Sequence, residues 1–265
     1  MSTVTAGQVK ELRDLTGAGM MDCKRALEET GGDVEAAQRL LREKGIADAT
    51  KRAGRETSEG IVLARVDGRR GTIVAVGCET EPVSANEEFR AFTDRVLDLV
   101  EAEGPDAVGS LEDERVELVA RIGENVVIRG ASRFEAGDGE VVVAYVHPPA
   151  HKIGVLVRAR ATPELARAVA MQIAASPATR YVARADVPES AVDAERDIYI
   201  KLPDVQSKPE EIRPKIVDGM LTKRFFAEIV LADQTWIHDD SLTVGRALAE
   251  HGAEVVEFAR YALAQ

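Results

Sequence analysis

Apolar and polar positions follow two different periods along this chain. From Thr5 to Gly45 the period is helical. Val9, Leu12 and Leu15 begin an apolar stripe, and Thr5 followed by Gln8 fits a capping box that opens a helix. The run "TGAG" (16–19) breaks that helix with two glycines. A second helix is expected from Met20 to Glu29, carrying Met21, Ala26 and Leu27, and "TGGD" leads to a third, with Asp33 or Gly32 as its cap. The third helix presents Val34, Ala37, Leu40 and Leu41 and is expected to stop at Gly45. Three short helices make a bundle with little core of its own, a module suited to docking on something else. Residues 42–55, "REKGIADATKRAGR", read as a linker. Its cations, Arg42, Lys44, Lys51, Arg52 and Arg55, are either solvated or contact an acidic partner such as ribosomal RNA or a GTPase face.

The period then changes to two. "GIVLARV" (60–66) and "GTIVAV" (71–76) are strand-like runs, and the "DGRR" between them signals a hairpin. The helix "ANEEFRAFTDRVLDLVEAE" places Phe89, Phe92, Val96, Leu97 and Val100 on one side, with Ser84 and Glu87 reading as its capping box. Another helix, "LEDERVELVARIG", and a strand, "ENVVIRGASRFE", follow. The same order begins again about 80 residues later. "GEVVVAYV" (139–146) and "KIGVLVRA" (152–159) form a hairpin, "PELARAVAMQIAAS" and "LTVGRALAEHG" are helices, and "AEVVEFARYALA" is a strand. The second copy carries an insertion, two helices joined by "PDVQSK". Val192, Glu195, Tyr199 and Leu202 share one face of the first, and Ile212, Ile216, Met220 and Lys223 follow helical steps on the second. This helical hairpin is either scaffold packing or a lever for a partner or a dimer.

The expected fold class is therefore α+β. A three-helix module and linker (1–55) precede a duplicated core of two subdomains with antiparallel sheets (56–140 and 141–265), and the second subdomain carries the helical hairpin at about 187–224.

Composition narrows the function. The net charge of -12 disfavours non-specific binding to nucleic acid, which depends on cations neutralising phosphates, and 4% aromatics offer little for bases to stack on. No stretch approaches the roughly 18–20 apolar residues of a membrane span. The N-terminus has no apolar signal core, and the only two cysteines, Cys23 and Cys78, are far apart, so a reducing cytoplasm without disulfides is expected.

Catalytic chemistry is sparse. His147 and His151 are four apart, but Pro148 and Pro149 lie between them and no other metal-ligand spacing occurs, so no metal or other cofactor is expected. Gly17 and Gly19 lie between helices rather than after a strand, which excludes a phosphate-binding loop. In "CETEPVSAN" (78–86), Glu79 and Glu81 share one side of an extended stretch with no histidine nearby, and read as solvated loop carboxylates rather than an acid pair. The reading is of a protein that acts by touching another protein, not an enzyme.

The run "LRDLTGAGMMDCKRAL", within "VKELRDLTGAGMMDCKRALEETGGDVEAAQRLLREKG", resembles the N-terminal module of translation elongation factor Ts. "ARIGENVVIR", "KIGVLV", "AMQIAAS", "KIVDGML" and Thr243–Val244 match the same family, so the resemblance covers nearly the whole chain. It implies a ubiquitin-associated-like fold for the three-helix module. It implies a guanine nucleotide exchange factor that binds the GDP form of elongation factor Tu, displaces Mg²⁺ and promotes GDP release. No direct nucleic-acid partner is implied, and a homodimer or a 2:2 complex through the core or the helical hairpin stays open. The alternative is a divergent paralogue that binds a translational GTPase without accelerating exchange, as a chaperone or sequestering partner.

The resemblance also assigns residues. The family's Thr-Asp-Phe-Val loop, which enters the GTPase near its Mg²⁺ and phosphate site, corresponds to Thr80, Glu81, Pro82 and Val83. Glu81 keeps the aspartate's charge on a longer arm, and Pro82 replaces the phenylalanine. Arg13, Met20 and Met21 match contacts of the N-terminal module, although Met21 also reads as core and Arg13 as plain surface. His147 matches a family histidine near the second hairpin. Gln172 stands where the family usually has histidine. "QTWIHD" (234–239) replaces a Gln-Pro-Phe-Val type of motif and places Ile237 and His238 at the contact with the GTPase's later domains. Ending at Gln265, the chain is expected to lack the further C-terminal helical module of some members.

Overall fold

The computed structural model describes residues 4–263. The outermost ends of the first and last expected segments, residues 1–3 and 264–265, lie outside the described residues. The fold is α+β, with two three-stranded antiparallel sheets, a two-stranded ribbon and helices around them.

Helix α1 (Ala6–Thr16) opens with the expected capping box. The Gln8 amide donates to Thr5 Oγ1 at 3.3 Å, and the Thr5 amide donates to Gln8 Oε1 at 3.0 Å. It ends at Gly17, whose φ of 65° puts it in the left-handed region and lets its N–H reach the Arg13 carbonyl at 2.7 Å. Helix α2 (Met20–Glu29) follows, then α3 (Val34–Arg52), capped by Asp33 accepting from the Ala36 amide at 3.0 Å. Val9, Leu12, Cys23, Ala26, Leu27 and Ala37 form the bundle's core.

Three expectations fail here, the first being Leu15 of the α1 stripe, which is 59% exposed and outside the bundle core. Met21 is 59% exposed, so it is not core; Cys23, Ala26 and Leu27 supply the buried face of α2. Helix α3 does not stop at Gly45 but runs through most of the expected linker. Gly45 is buried against helix α6 (Glu112–Ile122), and a Cβ there would lie 3.0 Å from that of Ala120. Glycine costs a helix interior about 1 kcal/mol relative to alanine. Close packing of two helices offsets that cost, and Ala49 one turn later is buried among the residues beneath the first sheet. The cations of 42–55 all find acids within the chain: Arg42 with Asp113, Lys44 with Glu29, Lys51 and Arg52 with Asp48, and Arg55 with Glu79. Gly45→Val should therefore overpack the α3–α6 contact and destabilise the protein by about 1–3 kcal/mol, read as a lowered Tm in thermal unfolding. An unchanged Tm would mean that α3 leaves α6 without cost.

Strands β1 (Glu59–Asp67) and β2 (Arg70–Cys78) form the predicted hairpin, and β3 (Val126–Glu135) pairs with β2. Between them lie a single-turn helix α4 (Glu81–Ser84), then α5 (Glu87–Glu103) and α6. Phe89, Phe92, Val96, Leu97 and Val100 of α5 are buried against Val74 and Val76 of the sheet, as their spacing predicts. The cap of α5 is Asn86 rather than Ser84. Asn86 Oδ1 accepts from the amides of Glu88 (2.8 Å) and Phe89 (3.2 Å), whereas Ser84 Oγ donates to the Glu81 carbonyl at 2.6 Å and closes α4.

The second half repeats the order. Strands β4 (Val141–Val146) and β5 (Ile153–Arg160) form a hairpin, α7 (Pro163–Ala175) follows, and β8 (Glu254–Ala262) returns to pair with β5. The β2–β3 and β5–β8 pairings each contain one register shift. The two sheets pack face to face through Val62, Ile73, Ala75, Val142 and Leu156. Their approach requires glycine: a Cβ at Gly71 would lie 2.3 Å from Val142, and one at Gly154 would lie 2.5 Å from Val62.

The insertion contains α8 (Glu189–Ile200), the short α9 (Pro203–Gln206) and α10 (Arg213–Met220), which continues through a π-helical stretch (Leu221–Phe226) into α11 (Ala227–Ile229). Its own small core is Tyr199, Val205, Val217 and Leu221. The inward face of α10 and the π-helical stretch is thus Val217 and Leu221, flanked by Ile216 and Met220. Ile212 is 44% exposed and Lys223 is exposed, because Ile212 belongs to a 3-10 turn that precedes α10. A ribbon of β6 (Thr235–Trp236) and β7 (Asp239–Thr243) and helix α12 (Val244–Glu250) complete the chain before β8. No described helix is long and apolar enough to cross a membrane.

Candidate protein-interaction surface

No group of three or more histidine, cysteine, aspartate or glutamate side chains among the described residues is arranged to hold a metal ion. His147 and His151 occupy the β4–β5 turn, not a helix face. Burial, with the nearby Glu124 carboxylate, pushes the Cys78 thiol up to about 12, so it is no thiolate nucleophile. Glu79 and Glu81 diverge. Glu79 turns inward, accepting from the Asn125 amide at 2.6 Å and pairing with Arg55 at 3.4 Å, whereas Glu81 is exposed. The expectation of two solvated carboxylates on an extended stretch therefore fails for Glu79, and the stretch itself turns into α4 at Glu81.

The 80–83 segment stands at the end of β2. Glu81 and Pro82 are exposed at the tip of α4, and Val83 is half-buried against the core below. Two exposed residues are thus offered outward while the third anchors the turn. Thr80 sits at the start of α4 in extended geometry but makes no capping bond; its hydroxyl donates instead to Glu124 Oε1 at 2.6 Å.

The N-terminal corner is apolar and exposed. Leu15, Met20 and Met21 are 59%, 57% and 59% exposed around the Gly17–Gly19 turn, and Arg13 is exposed on the same end of α1. Large apolar side chains grouped on an otherwise charged surface mark an interaction site. Arg121 of α6 lies against this turn, since a Cβ at Gly17 would fall 2.5 Å from its Cδ. The same guanidinium donates through Nε to Glu88 at 2.6 Å, on the first turn of α5 just beyond the 80–83 segment. Sequence reading missed Arg121, because nothing in the spacing along α6 points to a glycine turn a hundred residues away.

His147 is exposed in the β4–β5 turn, its Nδ1 2.8 Å from the Tyr145 hydroxyl. Ile237 and His238 form the two-residue tip of the β6–β7 ribbon, with His238 edge-on to Trp236 at 4.8 Å between ring centroids. The structure brings His147 and Ile237 together on one open hollow of about 680 Å³, walled also by Tyr145, Ile153, Met171 and Arg260. Burial lowers the pKa of Arg260, whose guanidinium donates to the Ile173 and Ala174 carbonyls at the end of α7. Gln172 is buried and fixes the ribbon: its Oε1 accepts from the Ile237 amide at 2.9 Å, and its Nε2 donates to Gln234 at 3.2 Å. The β4–β5 turn reaches the end of the first sheet where β2 leads into α4. The His151 carbonyl accepts from the Val62 amide at 2.8 Å, and Lys152 pairs at 2.5 Å with Glu59, which lies opposite Cys78.

Comparison with known proteins decides the family. The family described as "Elongation factor TS" matches residues 79–265. Elongation factor Ts of Idiomarina loihiensis is 42% identical over 269 residues, covering 97% of this chain and 90% of that protein. The proteins of the same name from Escherichia coli O139:H28 and Serratia proteamaculans are each 41% identical over 266 residues, covering 98% of this chain and 92% of theirs. The chain belongs to the elongation factor Ts family. Two residues singled out in the sequence have definite places in the structure. Pro82 is an exposed residue of α4, and Gln172 is a buried support for the ribbon that carries Ile237.

Proposed function

We propose that this chain is the guanine nucleotide exchange factor of elongation factor Tu, acting in the cytoplasm on the GDP-bound GTPase and making or breaking no covalent bond. The observation that carries the reading is family membership over almost the entire chain. The exposure of the matching positions supports it: Arg13, Met20 and Met21 at one corner, Glu81 and Pro82 at the tip of α4, His147 and Ile237 on one hollow, and His238 beside Ile237 at the ribbon tip. In this reading residues 1–55 grip the GTPase, and 56–140 carry the segment Thr80–Val83, of which Glu81 and Pro82 press on the Mg²⁺ and phosphate site while Val83 anchors. Residues 141–265 hold the GTPase's later domains. Displacing Mg²⁺ removes a charge of about +2 that bridges GDP to the GTPase. The coupling is reciprocal, so GDP weakens binding of the factor as much as the factor weakens binding of GDP.

The test is release of fluorescent GDP from elongation factor Tu of the same organism, with excess unlabelled GDP, Mg²⁺ and increasing amounts of this chain. The expected result is release that accelerates with concentration and then saturates. A second reading, a partner that binds without exchange, is favoured by one residue only, Pro82 in place of phenylalanine. Stable binding with no acceleration would select it, and absence of binding would overturn both.

A further inference from the structure

The α4 turn cannot hold itself in place. It has four residues, far below the length at which an isolated helix is stable. Its Thr80 makes no side-chain cap, its second residue is proline, and only Val83 among its apolar groups packs inward. The Cys78 thiol donates to the Thr80 carbonyl and Arg90 Nε to the Ser84 carbonyl at 3.4 Å, but the charged anchor at its start is Glu124, in the bend between α6 and β3. Glu124 Oε2 accepts from the backbone amides of Glu79 (3.1 Å) and Thr80 (3.0 Å), and Oε1 accepts from the Thr80 hydroxyl at 2.6 Å. Hydrogen bonds to a carboxylate are roughly twice as strong as neutral ones.

The carboxylate is itself well seated. Gly123 before it ends α6 in the left-handed region, with φ of 82°. Asn125 after it is buried, donates its amide to Glu79 Oε1 at 2.6 Å, and donates through Nδ2 to the Arg55 carbonyl at 3.0 Å, just beyond the end of α3. Two adjacent residues of one bend thus tie down the start of α4 and the chain leaving the N-terminal module.

We infer that Glu124 is a positioning residue for exchange: it is the strut that keeps the Thr80–Val83 turn rigid while its tip presses on the GTPase. The inference rests on the exchange reading above. A wedge transmits force only if its base does not yield. Without the carboxylate the turn gives way instead of the Mg²⁺ site, whereas the docking contacts at Met20, Met21 and Ile237 remain.

The experiment compares GDP release driven by the wild-type chain and by the Glu124→Ala, Glu124→Gln and Thr80→Val variants, each titrated to saturation, with Tm recorded for each. Glu124→Ala should lower the maximal release rate by about tenfold or more, which corresponds to about 1.4 kcal/mol of lost coupling. Its half-saturating concentration should stay near the wild-type value. Thr80→Val, which removes one bond of the three, should cost about three- to fivefold. Glu124→Gln should come close to wild type, because its amide oxygen accepts the two backbone N–H groups and its NH₂ donates to the Thr80 hydroxyl. An undiminished maximal rate in Glu124→Ala, or a loss confined to half-saturation, would overturn the strut while leaving the exchange reading intact. No acceleration by the wild-type chain would overturn the exchange reading and the strut with it. If Glu124→Ala fails to fold, Thr80→Val decides alone, and a wild-type maximal rate there would overturn the proposal.

Discussion

Pro82→Phe is expected to raise the maximal rate of GDP release from elongation factor Tu by about tenfold. Burying a phenyl side chain contributes roughly 1.5–3 kcal/mol, and about 1.4 kcal/mol is a factor of ten. Two effects oppose each other at this position. Proline stiffens α4 before binding, and losing that restraint costs about 0.4–1 kcal/mol. The ring gains more than the restraint loses, so the sign favours phenylalanine wherever the tip enters an apolar pocket of the GTPase. The free protein should tolerate the change, because residue 82 is exposed and packs against no core. The measurement is stopped-flow release of fluorescent GDP at saturating factor, beside the Tm of each protein. An equal or lower rate with unchanged Tm would show that this tip does not insert, and would move the binding-without-exchange reading forward.

The double variant Met20→Asp with Met21→Asp is expected to weaken binding of the GTPase by about a hundredfold, with Tm nearly unchanged. Both side chains are more than half exposed in the free protein, so the folded state loses little. Removing an interface residue that contributes costs more than about 1 kcal/mol, so two together cost roughly 2–3 kcal/mol, near a hundredfold, and a carboxylate at a contact must also be desolvated. Val66→Asp supplies the control. Val66 is also exposed, at 40%, but it lies at the β1–β2 turn end of the first sheet, opposite the Glu59–Cys78 end from which α4 departs. Its substitution should leave affinity within about twofold, the scatter of surface changes. Equal weakening by both variants, read by isothermal titration calorimetry, would mean that the N-terminal corner is not a docking site. Point changes serve this question better than deleting residues 1–55, because α3 packs along α6 and deletion would uncover Ala49's place in the core.

Much of the fold was legible in one dimension. The capping box at Thr5 and Gln8, the stop at Gly17, the Asp67–Arg70 turn and the buried stripe of α5 are all short-range features. Each is set by backbone hydrogen bonds and by which side chains share a face, and those depend on spacing alone. The repeated order of hairpin, helices and strand was legible for the same reason, since each half closes a sheet by the same short rules. The candidate surface was legible only as a resemblance carried on particular residues.

The tertiary structure decided what local rules leave open. Gly45 reads as a helix stop by propensity, yet the helix continues because it packs along α6 and buries Ala49, and Ala120 takes the space a Cβ at 45 would fill. Ser84 with Glu87 reads as the capping box of α5 in sequence, yet the geometry of α4 engages Ser84 and leaves Asn86 to cap α5. Met21 satisfies a helical stripe that the bundle does not bury, because Cys23, Ala26 and Leu27 already complete its core. Glu79 turns inward because Arg55 and Asn125, distant in sequence, arrive beside it. Sequence by itself therefore determined the kind and order of the longer helices and strands, but not the short α4 and α9 or the β6–β7 ribbon. Which polar groups are clamped and which apolar ones are left exposed was decided by contacts between residues far apart in the chain, where periodicity carries no information.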